Sequence, residues 1–209
     1  MVASASIYAQ ALHQAWTANI DLASDTLNMA LLGSGYTPNL TADTHWSDIS
    51  SHEITGTGYT AGGVSLSSVS LAVTAANSWG VSWAASTAYG YGTIVIPASP
   101  NGLLYRCSTA GTSGSSAPAW PTTTGQVVTD GTAKWTCLSE AVMVFTSDTV
   151  SWPDATFSAN YAVIYDAQSG TPSAEPLIIV NSFGVAQSPS AETFEVIPDP
   201  NVGWWVYQL

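Results

Sequence analysis

Apolar and polar positions alternate in short runs along most of this chain, and one stretch departs from that rhythm. Near the N-terminus Tyr8, Leu12 and Trp16 recur every four residues. That spacing puts them on one face of a helix of about three turns, with Ser4 or Ser6 placed to cap it. The same face is a candidate oligomer contact through Tyr8, Leu12 and Trp16, and core packing competes for it. Leu27-Asn28-Met29-Ala30-Leu31-Leu32 then reads as a buried strand ended by Gly33-Ser34-Gly35. Tyr36-Thr37-Pro38-Asn39 reads as a turn, and the polar run to His52 carries few strand signals.

Residues 56–63, Gly-Thr-Gly-Tyr-Thr-Ala-Gly-Gly, hold four glycines in eight positions. Their spacing is not G-x-G-x-x-G entering a helix and no Lys follows, so they predict a turn and not a phosphate cradle. Val64 to Val73 alternates with one step out of phase, which predicts a half-buried strand with a bulge. Six further short strands are expected at 142–145, 149–152, 161–165, 177–180, 194–197 and 204–207, separated by turn residues. Short strands at such spacing predict an all-β protein, a β-sandwich or barrel with a short N-terminal helix and a small inserted β domain.

Composition sharpens the last point. Only 8% of the 209 residues are charged, while 46% are hydrophobic, so the polar surface must come from hydroxyls, amides and backbone. Residues 79–139 differ from the rest. They contain Trp79, Trp83, Trp120 and Trp135, both cysteines, and the two basic residues of the chain, Arg106 and Lys134, against one acid, Asp130. Their formal charge is +1, and the remainder, with thirteen acids and no Lys or Arg, carries −13. A module at 79–139 inserted into a host domain built from 1–78 and 140–209 accounts for this split, since exposed turns tolerate insertions. The module is expected to project outward from the host.

The net charge of −12 argues against nucleic acid or an anionic membrane as partner, because both reward clustered Lys and Arg. No run approaches a membrane-spanning length. The first residues lack the charged start and apolar core of a signal peptide, so synthesis in a cytoplasm is expected.

Several stretches resemble a small β-rich structural protein encoded among the virion genes of tailed bacteriophages. They are "LNMALLGSGYTPNLTADTHWSDISSHEITGTGYTAGGVSL" (27–66), "VSWPDATFSANYAVIYDAQSGTPSAEPLI" (150–178) and "FGVAQSPSAETFEV" (183–196). The family's A-L-L strand, Y-T-P-N turn, G-T-G-Y-T-A-G-G turn and Y-A-V-I-Y strand occur here in that order. The resemblance implies a non-enzymatic virion component, a capsid decoration or head-fibre protein, or else a tail or baseplate component. It implies the major capsid protein or other virion proteins as partners, a homo-oligomeric assembly, and no cofactor. The module at 79–139 is distantly similar to chitin-binding modules through Trp83, the Tyr89/Tyr91-Gly92-Thr93-Ile94-Val95 run and Gly102-Leu103-Leu104-Tyr105. Thr93 stands where that pattern has an acid. This likeness implies a glycan-binding adhesion protein as the alternative, with surface polysaccharide as its partner.

Aromatic rings exposed on a β surface stack on sugars. The candidates are Trp120, Tyr91, Trp83, Tyr105 and Trp135. In so small a module the same residues also serve as core, Trp135 and Tyr105 above all, and Trp120, between Ala119 and Pro121, is the best single contact residue. Cys107 and Cys137 either pair across adjacent strands, closing a loop of about 30 residues that contributes roughly 3–4 kcal/mol, or stay as two buried thiols. His45 and His52 flank Asp48 and Glu53 without forming a persuasive metal set. Asp148 and Asp154 flank Trp152, but Trp152-Pro153-Asp154 reads as the end of a strand and its turn, and a glycosidase pair is defined by a carboxylate separation that no sequence supplies. No catalytic residue is expected.

Overall fold

The computed structural model describes residues 4–17, 19–75, 80–138, 141–199 and 203–208. In chain order the first strands are β1 (Ser4–Ile7), β2 (Leu27–Leu32), β3 (Val64–Ser65), β4 (Ser70–Ala75), β5 (Val81–Ser82), β6 (Ala88–Tyr89), β7 (Ile94–Ile96) and β8 (Tyr105–Thr109). They are followed by β9 (Gly111–Thr112), β10 (Val127–Asp130), β11 (Ala133–Cys137), β12 (Ala141–Thr146), β13 (Val150–Thr156), β14 (Ala159–Asp166), β15 (Leu177–Gln187), β16 (Ser190–Val196) and β17 (Trp205–Gln208). The helices are α1 (Ala9–Trp16) and α2 (Trp46–Ile49), each too short to cross a membrane. The fold is all-β, and no sheet among the described residues closes into a barrel.

Two compact units divide the chain, Met1–Ser70 with Thr146–Pro198, and Leu71–Phe145 with Asp199–Leu209. In the first, an antiparallel sheet runs β1-β15-β14-β2-β3. Met29, Ala30, Leu31 and Leu32 of β2 are all fully buried, which is why that strand reads as a continuous apolar run and not an alternating one. One core cluster joins Ala30, Leu32, Val163, Tyr165, Val180 and Trp46. Trp46 lies flat on Tyr165, with ring centroids 4.6 Å apart and planes 7° from parallel. The remaining strands of this unit, β13 and β16, pair as a ribbon that sets Trp152 opposite Phe194.

Helix α1 forms where its spacing predicts, but its start differs from the expected one. Ser4 and Ser6 belong to β1, and Tyr8 occupies the cap position without a side-chain cap bond. Tertiary contacts replace the cap: Ala9 N–H donates to the Leu40 carbonyl at 2.8 Å. Tyr8 is fully enclosed, donating its hydroxyl to Tyr36 (2.8 Å), which in turn donates to Asp43 Oδ2 (2.8 Å). Burial pushes the Tyr8 and Tyr36 hydroxyls well above the ordinary phenol range. Of the three residues expected at an oligomer contact, Tyr8 is thus core, Leu12 is half-buried, and Trp16 stands 73% exposed.

The polar run before His52 contains the short helix α2. Asp48 accepts from the backbone N–H groups of Thr44 (2.8 Å) and His45 (2.9 Å), closing the first turn of α2. These bonds hold the Asp48 carboxyl below the usual carboxylate range. The single strand expected over 64–73 is two strands, β3 and β4, broken where Ser68 takes φ 52°. Asp148 secures the break by accepting from Ser67 Oγ (3.1 Å) and Ser68 Oγ (2.7 Å).

In the second unit a five-stranded sheet runs β10-β11-β8-β7-β5, antiparallel except for the β5–β7 pair. β17, β12 and β4 form a three-stranded sheet, and β6 pairs with β9. This grouping moves the expected boundary. Residues 71–75, 141–145 and 199–209, read from sequence as host, group with the aromatic module, and Val144 of β12 packs there with Ile94, Leu104 and Leu138. The expected junctions at 78/79 and 139/140 fall outside the described residues.

Candidate functional site

The aromatic module is organised around Asp130. The sequence Val127-Val128-Thr129-Asp130-Gly131-Thr132-Ala133-Lys134 makes a hairpin with a two-residue turn, and Gly131 supplies the positive φ (62°) such a turn needs. Asp130 thus sits at the end of β10 with its side chain turned inward, 4% exposed. Its Oδ2 accepts from the indole N–H of Trp83 (2.8 Å) and of Trp135 (2.9 Å), and its Oδ1 from the backbone N–H of Gly114 (2.8 Å). A buried carboxylate without donors is costly. Three donors from three segments satisfy this one and tie those segments together.

Around that node the rings close into one cluster. Trp83, Tyr89, Tyr105 and Trp135 are buried with Cys107 and Cys137, and Trp120 packs half-buried against them. Trp120 tilts over Tyr105 at 4.3 Å and presents an edge contact to Trp83 at 6.4 Å. Tyr105 accepts from Asn101 Nδ2 (2.7 Å) and donates to the Pro121 carbonyl (2.8 Å), which pins the loop carrying Trp120. The Trp120 indole N–H is buried without a hydrogen-bond partner.

The five residues proposed for sugar stacking therefore separate. Trp83, Tyr105 and Trp135 are core, and Trp120 is committed to Tyr105. Tyr91 is 75% exposed in the turn before β7. The structure does not bring the five together as an open stacking platform, because a module of this size has few other side chains large enough to fill its interior.

Both cysteines are free and fully buried. Cys107 stands opposite Trp135, and Cys137 opposite Tyr105. The two are diagonal neighbours, a placement that separates α-carbons by about 7–8 Å, beyond the usual reach of a disulfide. Burial raises both thiol pKa values, so neither is an activated nucleophile.

The polar residues of the first unit serve its frame. Glu53 accepts from Tyr59 Oη (2.6 Å) and Gly62 N–H (2.6 Å), and His45 Nδ1 bonds Thr44 Oγ1 (2.9 Å). No group of three or more His, Cys, Asp or Glu side chains suited to a metal ion occurs among the described residues. Asp148 is taken up at the β3–β4 break, and Asp154 sits exposed with φ 50° in an irregular stretch of β13.

In the sequence Asp130 stands out only as the lone acid of residues 79–139. The Asp-Gly pair between two β-branched and aromatic runs signals the hairpin. Nothing local signals that both indoles turn toward the carboxylate. Comparison of the chain with protein-family models, with curated proteins and with solved structures gives no significant match.

Proposed function

We propose that this chain is a non-enzymatic structural component of a tailed-bacteriophage particle, in first place a capsid decoration or head-fibre protein. What supports the reading is the use made of the residues that resemble that family. Ala30-Leu31-Leu32 and Tyr161-Ala162-Val163-Ile164-Tyr165 lie on neighbouring strands, with Tyr161 opposite Leu32 and Tyr165 opposite Asn28. The Tyr36 turn bonds Tyr8 and Asp43. The 56–63 loop is fastened to the same sheet by Leu31 N–H donating to Tyr59 Oη (3.0 Å) and by Tyr165 Oη donating to the Gly62 carbonyl (2.9 Å). All four shared stretches are spent on one interlocked frame, which suits a protein whose task is to hold shape in an assembly.

Its partners are then the major capsid protein or neighbouring virion proteins, and repetition on a particle makes many weak contacts effective together. Immunogold microscopy of purified particles, with antibody against residues 80–138, tests this. Gold over the heads is the expected result. Gold on the tail or its tip moves the protein to the tail, and unlabelled particles overturn the virion reading.

A further inference from the structure

β10 is the outermost strand of its sheet and has β11 as its one neighbour. The two-residue turn sets Asp130 opposite Ala133. Residues flanking such a turn exchange hydrogen bonds, and the alternation then turns Asp130, Val128 and Gln126 toward β11. The Cys137 N–H donating to the Gln126 carbonyl at 2.8 Å agrees with this phase. Val127 and Thr129 consequently point their N–H and C=O groups away from the sheet, and no strand among the described residues pairs with that edge. Their side chains are exposed too, Val127 by 55%. Natural sheets blunt such an edge with Pro, Lys or a bulge. Val127–Asp130 contains neither residue and keeps a regular register with β11.

Charge limits where two copies of this chain can meet. The first unit carries eleven acids and no Lys or Arg, whereas the second carries three acids with Arg106 and Lys134, a formal −1. Two copies of this chain repel through their first units and meet with least repulsion through their second. We propose that β10 is a homotypic docking edge, at which two copies pair their β10 strands antiparallel about a two-fold axis at Val128. Val127 of each copy then faces Thr129 of the other in a hydrogen-bonded pair. Four backbone bonds form, and the side chains of Val127 and Thr129 lie side by side on the exposed face. The same patch serves both copies, as a closed dimer requires. The two Lys134 side chains stand three strand spacings apart, about 14 Å, farther than the screening length of about 8 Å at physiological salt.

This inference stands apart from the virion reading. Its test is sedimentation velocity on the full chain from micromolar to near-millimolar concentration. The variants are Val127→Lys, which installs an edge guard, and Thr129→Pro, which removes a donor the fold does not use and which an edge strand tolerates. Wild type should dimerise reversibly, and each variant should weaken the dimer by about tenfold or more with an unchanged melting curve. Hydrogen exchange supplies a second reading: the Val127 and Thr129 amides should become protected only where the dimer forms. A wild type that stays monomeric throughout overturns the proposal. So does a dimer that both variants form equally well, which places the contact elsewhere.

Discussion

Asp130 shows how one residue sets the character of a module. Its three donors come from Trp83, Gly114 and Trp135, so the carboxylate binds a loop, a backbone turn and a strand at one point. Asp130→Ala leaves two indole N–H groups and an amide buried and unpaired. Each such group costs about 1–3 kcal/mol, so the variant should lose roughly 3 kcal/mol or more, read from urea unfolding followed by tryptophan fluorescence. A loss below about 1 kcal/mol would mean that the rings hold the module without the carboxylate. The identity of these residues was visible in the sequence, and their convergence was not. Trp83 and Asp130 are 47 positions apart, and no local pattern reports a contact over that separation.

At the scale of elements, strand positions were the most legible part of the fold. The run Leu27–Leu32 announces β2 because burial on both faces from Met29 onward favours apolar residues there, and the later strands follow from their β-branched and aromatic runs. What the sequence blurred were the places where a side chain's partner is distant. Serine caps locally and so draws the expected helix start to Ser4 or Ser6, yet the Leu40 carbonyl does that work. Likewise, the phase step at Ser67-Ser68 within Val64 to Val73 signals a bulge as readily as the strand break that Ser68 makes here.

The 56–63 loop is the turn its glycines predict, and close backbone approach explains two of them. A Cβ on Gly63, at φ 75°, would land on the Met29 carbonyl, and one on Gly56 would meet the Thr156 carbonyl and Phe157 Cβ. Gly63→Ala should therefore destabilise the first unit severely, by about 3 kcal/mol or more, which a thermal melt reads directly. Gly170→Ala is the control, since that position has positive φ but open space around it, and its cost should stay near about 1 kcal/mol.

For the molecule as a whole, the acid surplus shapes the pH response. Burial, with Asp25 adding to it, raises the Asp166 carboxyl above its ordinary value, and burial with Asp166 does the same to Glu175. The folded chain keeps these protons to a higher pH than the unfolded chain does. The stability they contribute is complete below the unfolded carboxylate pKa of about 4 and drains away as pH rises through the raised values. Asp48 has the opposite sign: its depressed pKa gives stability that disappears in strong acid. Melting temperature should peak in mildly acidic solution and decline toward alkaline pH. Asp166→Asn, which retains an oxygen for the Gln168 N–H, should flatten that decline. A decline of the same slope in the variant would assign it to general acidic repulsion instead.

The division of the chain into units has a consequence for heredity. The polypeptide passes between them at Ser70/Leu71, Phe145/Thr146 and Pro198/Asp199. A single contiguous exchange of DNA cannot therefore transfer the second unit without carrying residues 146–198 of the first. A crossover pair that excised residues 79–139 would keep Val144 while discarding Ile94, Leu104 and Leu138, the buried neighbours with which it packs. The stretch that differs most in composition is thus not a portable cassette. Grafting it onto another protein should succeed only when residues 71–145 travel together with the segment that supplies β17.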